Sequence, residues 1–183
     1  MNGIKIIKES FKVLIFASLL SSFGGLSLEF IKAKLSLFLP LIIILPSLAD
    51  MVGDSGTIVV SKITTYYALG KFKDKLAPKF ILNLFFSLLI IASFSAVYIT
   101  VLALFIGYLK GFSFNIYFLF KMLLIVLLTT IAILLIIFLV ALIGGRYAFK
   151  RKIDPDDLLI PLTTSIADLG SLIIFSLLVF FIL

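Results

Sequence analysis

The sequence has 183 residues, of which 63% are hydrophobic and 14% are charged, and its formal net charge is +7. A mean hydropathy of +1.33 lies far above the usual balance of soluble proteins and indicates an integral membrane protein. The chain contains no cysteine and no histidine, which excludes a disulfide scaffold, a thiolate metal site and imidazole catalysis. Any metal must therefore be bound by oxygen. Membrane topology explains the positive charge, and no nucleic-acid partner is expected.

Five apolar stretches approach or exceed the roughly 20 residues that a helix needs to cross the hydrocarbon core. They cover residues 12–31, 36–68, 79–109, 117–145 and 157–183. The second stretch is too long for one straight crossing, and its prolines and glycines predict an interrupted or kinked helix. These residues are Pro40, Pro46, Gly53 and Gly56. The predicted fold class is an all-α integral membrane protein of five transmembrane helices, in one domain over residues 1–183 without a soluble regulatory domain.

Basic residues orient the five helices, because cytoplasmic loops carry an excess of lysine and arginine. Most of them precede helix one, follow helix two or follow helix four: Lys5, Lys8, Lys12, Lys71, Lys73, Lys75, Lys79, Arg146, Lys150, Arg151 and Lys152. The opposite ends hold only Lys32, Lys34, Lys110 and Lys121. The N-terminus is therefore predicted to be cytoplasmic and the C-terminus external.

The nine acidic residues divide into two groups by position. Five lie in or beside predicted cytoplasmic segments and are interpreted as solvated charges: Glu9, Asp74, Asp154, Asp156 and Asp157. The other four are Glu29, Asp50, Asp54 and Asp168. An ionisable side chain at the centre of a membrane helix costs about 2.5 to 3.5 kcal/mol and usually faces a bundle interior or an aqueous path. At about 1.5 Å per residue, Asp50 and Asp168 both fall near the bilayer midplane.

Polar residues near these acids form two patterns. Asp50 and Asp54 are four residues apart and share one face if helix two is continuous. On helix five, polar residues recur at spacings of three, four and seven, which predicts a polar stripe suited to line a pathway. The stripe comprises Pro161, Thr164, Ser165, Asp168 and Ser171. Hydroxyl residues and glycines at such positions also serve helix packing alone.

Function is favoured over packing for Asp54 and Asp168, because no lysine or arginine is obviously placed to neutralise them. The roles of Glu29 and Asp50 stay open between function and packing. Glu29 is a candidate for the external mouth, and Asp50 is a candidate for a protonated packing residue. Carboxylates and hydroxyls at this depth suit hard cations such as Mg²⁺, Ca²⁺ and Mn²⁺. Proton or Na⁺ carriage uses similar groups, so these residues predict a cation pathway without naming the cation.

Two segments resemble a known family. Residues 40–70, "PLIIILPSLADMVGDSGTIVVSKITTYYALG", resemble the second-helix motif of the MgtE/SLC41 family of magnesium transporters, in which a proline and an apolar run lead to Gly-Asn and then to a Ser-Arg-Leu-Ser-Thr-like element. Residues 154–172, "DPDDLLIPLTTSIADLGSL", resemble the other family signature, in which Asp-Pro-Asp precedes a proline, a hydroxyl run and an aspartate. The motifs fall in helices two and five, in the order that the family requires.

The resemblance implies that Asp168 faces a central pore and binds hydrated Mg²⁺, and that Gly53 and Asp54 lie near the ion path. It also implies that Glu29 matches an acidic position late in the first helix of the family. Asp54 replaces the usual asparagine, and Gly56 stands where eukaryotic members carry an acid. The candidate metal-binding residues are Asp168, Asp54, Asp50, Glu29, Thr164, Ser165 and Gly53.

Family pores are built from two five-helix units, so the resemblance implies a homodimer in the cell membrane with two copies of Asp168 close together. The cytoplasmic sensor domains of bacterial members are not found in this sequence, and their gating is not carried over. The transported ion is expected to be Mg²⁺, with Mn²⁺, Ca²⁺ or Co²⁺ as other candidates.

Two other classes of function stay open. A secondary exchanger would couple the cation to Na⁺ or H⁺ through Asp50, Asp54 or Glu29, and a non-transporting membrane subunit would need no acids within the bilayer. An enzyme is not expected, because the sequence shows no nucleophile-and-base arrangement. An intramembrane aspartyl hydrolase needs two facing carboxylates, but the signatures of that chemistry are not seen.

Overall fold

A computed structural model describes residues 3–69, 77–151 and 154–183 of the chain. Within these ranges the chain is almost entirely helical and contains no strand. Five helical runs are long and apolar enough to cross a membrane, which confirms the predicted number of crossings. Some charged residues named above lie outside the described residues or side chains: Lys5, Lys8, Glu9, Lys12, Lys71, Lys73, Asp74, Lys75 and Lys152.

The first crossing is composite. It covers Val13–Leu37. It takes in the later part of α1 (Gly3–Leu26), a 3₁₀ helix (Ser27–Ile31) and the short α2 (Lys32–Leu37). The other four crossings are single helices: α3 (Leu39–Ala68), α4 (Pro78–Leu109), α5 (Ile116–Lys150) and α6 (Pro155–Ile182).

Local sequence explains where these helices begin. Proline lies in the first turn of α3, α4 and α6, where its missing N–H removes no helical hydrogen bond. Asn115 precedes α5, and its side chain accepts a hydrogen bond of 2.9 Å from the backbone N–H of Phe118. Asp154 precedes α6, and its carboxylate accepts one of 3.0 Å from the backbone N–H of Asp156. Both side chains satisfy an N–H group that the helix itself leaves free.

The interruption predicted for the second segment is not found inside α3. The helix is continuous over 30 residues and includes Pro46 in its interior. The break in helical geometry lies before it, at Phe38, whose φ of −116° and ψ of 87° separate α2 from α3. The predicted kink of α3 stays a prediction. Because α3 is continuous, Asp50 and Asp54 lie one turn apart on the same helix.

Two helices, α3 and α6, occupy the centre of the bundle. α6 packs against α1, α3 and α5, and α3 packs against α4, α5 and α6. α3 and α6 are antiparallel, because Gly56 lies beside Thr163 whereas Thr64, further along α3, lies beside Asp156 at the start of α6. α1 runs parallel to α6. The buried apolar side chains form two clusters around these central helices.

α1 approaches α6 closely at Gly24. A Cβ atom at this position would lie 2.9 Å from Leu172 Cδ1 and 3.1 Å from the backbone Cα of Leu169. The next residue, Gly25, has no atom within 4 Å of the equivalent position. Gly24 therefore faces a tight interface, whereas its neighbour Gly25 faces open space. The two positions form a matched pair for testing this packing.

We expect Gly24→Ala to be less stable than Gly25→Ala by at least about 1 kcal/mol, because only the first added methyl group must displace backbone. Thermal unfolding of the two variants in the same detergent measures this difference. Equal stability of the two variants would contradict the close packing of α1 on α6.

Candidate cation site

Asp168 lies near the middle of α6 and is half-buried. Its Oδ2 atom accepts a hydrogen bond of 3.0 Å from the hydroxyl of Ser21, which comes from α1. Among the described residues, the ion pair that is found joins Lys32 to Glu29 and does not involve Asp168. A neutral hydroxyl is the partner of this carboxylate, and among the described side chains no cationic group neutralises its charge.

The antiparallel packing of α3 and α6 brings Asp50 to the level of Asp168. The two carboxylates are close enough to interact electrostatically. One turn further along, Gly53 lies against Thr164, since a Cβ atom at Gly53 would be 3.9 Å from Thr164 Cγ2. The structure thus brings together four residues that the sequence singled out on two separate helices.

Asp54 follows Asp50 by one turn of α3, and both side chains are exposed in the single chain. Among the described residues, no hydrogen-bond donor contacts either carboxylate. Thr57 donates to the backbone carbonyl of Asp54 at 2.8 Å and not to its side chain. Both carboxylates of α3 are therefore free to bind water or an ion.

These two acids belong to a longer exposed strip, which we call the polar face of α3. Its members are exposed and recur at spacings of three, four and seven residues, so they lie on one side of the helix. They are Ser47, Asp50, Asp54, Ser61 and Thr65. The other helices of the chain leave this polar face uncovered.

The two hydroxyl residues proposed as ligands on α6 differ in position. Thr164 is half-buried and donates to the carbonyls of Ile160 and Pro161, both at 3.0 Å. Ser165 is buried and donates to the Pro161 carbonyl at 2.6 Å. Both hydroxyl groups donate their proton to backbone carbonyls of α6, but the lone pairs of each oxygen can still accept a hydrogen bond or bind a cation. Thr164 faces Gly53 of α3, and it is better placed than Ser165 to act with the acids.

Glu29 is separated from the other candidates. It lies in the 3₁₀ helix after α1, is largely exposed and forms a 3.0 Å ion pair with Lys32. The neighbouring Ser27 lies beside Ser176, about two turns beyond Asp168 along α6. Glu29 therefore belongs to the end of the bundle and not to the group around Asp168.

The two family-like motifs also meet at the N-terminal end of α6. The hydroxyl of Thr64, in the element Ser61-Lys62-Ile63-Thr64-Thr65, donates to Asp156 Oδ1 at 2.8 Å. Asp154 caps the helix in the same Asp-Pro-Asp sequence. Both acids were predicted to be solvated charges; Asp154 is exposed and also caps the helix, whereas Asp156 is half-buried against Thr64. An aspartate directly before a proline is a recognised signal for a helix start.

Ser21 is the site residue that sequence analysis missed. A signal for it exists, because Ala17, Ser21 and Gly24 place small residues at spacings of four and three, as in helix faces that pack closely. Ala17 and Gly24 are indeed buried, and Ser21 is half-buried. That pattern predicts a packed face, but it does not predict which residue of another helix the serine contacts.

Within the described part of one chain, no three acidic side chains converge as a metal-binding group. Two carboxylates, Asp50 and Asp168, lie at the same level of the packed helices α3 and α6, with Asp54 one turn further along α3 and the methyl group of Thr164 beside Gly53. One or two carboxylates suffice for an ion that keeps much of its water shell, as Mg²⁺ does.

Comparison with protein families gives one match. Residues 45–178 match the family model of MgtE, described as a divalent cation transporter. The chain belongs to the MgtE family. Comparisons with curated proteins and with solved structures give no match.

Membership of the MgtE family assigns divalent cation transport to the chain, and members of this family are transporters and not enzymes in general. The matched residues contain the polar face of α3 together with Thr164, Ser165 and Asp168. Ser21 and Glu29 lie before the matched residues, and so do all of α1, the 3₁₀ helix and α2 of this MgtE family member.

We expect Thr64→Val to lower the free energy of unfolding by about 1 kcal/mol, because it leaves the half-buried Asp156 carboxylate without this donor. Thr65→Val is the matched control, since the Thr65 hydroxyl donates within α3 to the Ser61 carbonyl and is exposed. Thermal unfolding in detergent compares the two variants. A loss for Thr65→Val as large as that for Thr64→Val would contradict a stabilising contact between the two motifs.

Proposed function

We propose that this chain transports Mg²⁺ across the cell membrane through a pore between two copies, with Asp168 as the central ion-binding residue. The polar face of α3 is the observation that carries this proposal. It places two carboxylates and three hydroxyls on the outside of a single chain that is otherwise apolar enough for the bilayer.

A charged side chain facing lipid near the bilayer midplane is unfavourable by a few kcal/mol, so the polar face of α3 needs water or protein against it. A second copy that presents the same face satisfies this need and encloses an aqueous path between the copies. Such a two-fold interface is self-complementary, and each copy contributes the same residues. It brings two sets of Asp50, Asp54 and Asp168 to one path.

The chemistry of these groups favours a divalent cation that stays hydrated. Carboxylate and hydroxyl oxygens are hard ligands, which Mg²⁺ prefers, and Mg²⁺ gives up its water reluctantly. Several carboxylates around one path repel one another when no ion is present, and a divalent cation relieves that repulsion. Mn²⁺, Ca²⁺ and Co²⁺ are the alternative transported ions, and flux measurements with each ion distinguish them from Mg²⁺.

The orientation follows from the basic residues. We place the N-terminus of the chain and the contact between Thr64 and Asp156 at the cytoplasmic side, and Glu29 with Lys32 at the external side. The ion path then runs from the external end of α3, past Asp50 and Asp168, towards the cytoplasmic side.

We expect Asp168→Asn to reduce Mg²⁺ uptake into proteoliposomes by more than about tenfold and to leave the helical fold intact, because the amide keeps the shape of the side chain but removes its charge. Asp157→Asn is the matched control, since Asp157 is exposed in the first turn of the same helix and should keep uptake near wild type.

Uptake of Mg²⁺, Mn²⁺, Ca²⁺ and Co²⁺ is measured with and without Na⁺ and pH gradients. Flux that requires a Na⁺ or H⁺ gradient would contradict a pore and would indicate a coupled exchanger. Unchanged Mg²⁺ uptake by Asp168→Asn would overturn the site, and absence of cation flux in the wild type would favour a non-transporting subunit.

We expect Ser61→Cys to cross-link two copies in the membrane with a short bismaleimide, because Ser61 lies on the polar face of α3. The natural sequence has no cysteine, so the introduced thiol is the sole reactive site. Phe94→Cys is the control, since Phe94 is 75% exposed and belongs to another helix, α4. Dimer bands on gels for Phe94→Cys but not Ser61→Cys would contradict the proposed interface.

A further inference from the structure

We propose that Ser21 is a positioning residue that holds the carboxylate of Asp168 for ion binding, which makes α1 part of the transport site. The role rests on the proposed function, in which Asp168 binds the cation. It follows from the hydrogen bond of 3.0 Å that the Ser21 hydroxyl donates to Asp168 Oδ2.

Other serines of α1 use their hydroxyls differently. Ser18 donates to the carbonyl of Ile15, and Ser22 donates to the carbonyl of Ser18, so both bond within their own helix. A serine in a helix has this local alternative available. Ser21 instead donates to a side chain on another helix, and that side chain is the half-buried acid of the site.

Close helix packing makes this contact possible. A serine hydroxyl is short, so it reaches Asp168 only where the two backbones approach each other. Gly24, one turn beyond Ser21, provides that approach, because a Cβ atom there would already lie 3.1 Å from the Leu169 backbone. Gly24 is also close to the backbone carbonyl of Asp168 itself, at 3.5 Å from the same Cβ position.

The hydrogen bond acts on one of the two carboxylate oxygens. With Oδ2 held by Ser21, Oδ1 has no partner among the described residues and is available to water or to an ion. Hydrogen bonds from outer residues fix the orientation of metal-binding carboxylates, and their loss typically weakens metal binding by about 10- to 100-fold.

The test compares Ser21→Ala, Ser21→Thr and Ser27→Ala with the wild type and Asp168→Asn. Ser27 makes the other hydroxyl contact between this part of the chain and α6, at 3.2 Å from the Ser176 hydroxyl, and it does not contact Asp168. Ser27→Ala therefore reports the effect of loosening the same interface. Ser21→Thr keeps the hydroxyl donor.

Two measurements are made on each variant. The first is the Mg²⁺ concentration that gives half-maximal uptake into proteoliposomes, and the second is the Mg²⁺ concentration that gives half of the Mg²⁺-induced rise in melting temperature in detergent. We expect Ser21→Ala to raise both concentrations about tenfold, with Ser21→Thr and Ser27→Ala close to wild type. The melting temperature without Mg²⁺ verifies that each variant is folded.

Equal shifts for Ser21→Ala and Ser27→Ala would overturn the role, because both would then reflect helix packing alone. No shift for Ser21→Ala would overturn it as well. A Ser21→Thr variant that is folded but as weak as Ser21→Ala would show that the hydroxyl is not the active group. Absence of Mg²⁺ uptake in the wild type, or full uptake by Asp168→Asn, would instead overturn the proposed function and this role with it.

Discussion

The antiparallel contact between α3 and α6 is the constraint on which the site depends. Each helix alone presents acids whose burial in a membrane would be unfavourable, and neither offers a cationic partner at that depth within the described residues. Packed together, they place Asp50 level with Asp168 and Gly53 against Thr164. The close approach of the two helices lies one turn further along, at Gly56, where a Cβ atom would be 3.2 Å from the side chain of Thr163. The same contact ends in the hydrogen bond between Thr64 and Asp156.

Much of this arrangement could be predicted from the sequence. Apolar length predicted the number of crossings, because the thickness of the hydrocarbon core fixes how many residues a helix needs. The spacing of Asp50 and Asp54 predicted a shared face, since helical periodicity alone decides that. The sequence left open whether α3 is interrupted or only kinked, because Pro46 and two glycines are breaking signals in isolation. In the bundle these glycines meet Thr164, Thr163 and Ile137, and helix packing holds the backbone regular.

Contacts between helices were the part that the sequence could not provide. Asp154 and Asp156 looked like solvent-exposed charges, because nothing along the chain indicates that Thr64 reaches the start of α6. Ser21 was missed for the same reason, since a hydroxyl on an apolar helix has a local backbone partner by default. Glu29 was left open as a residue of the external mouth, and the structure places it in an exposed ion pair at the end of the bundle.

The close approach at Gly24 has a mechanical consequence. α1 is attached to the described bundle mainly along α6, and the narrowest point of that attachment lies one turn from the contact between Ser21 and Asp168. The separation of the two helix axes therefore sets the length of that hydrogen bond. One methyl group added at Gly24 would shift α1 away from α6 by a few tenths of an ångström, and this shift would lengthen the hydrogen bond from Ser21 to the Asp168 carboxylate. In the proposed site, lateral pressure on α1 would therefore change the geometry of the Asp168 carboxylate, and with it the binding of the cation, through the spacing of α1 and α6.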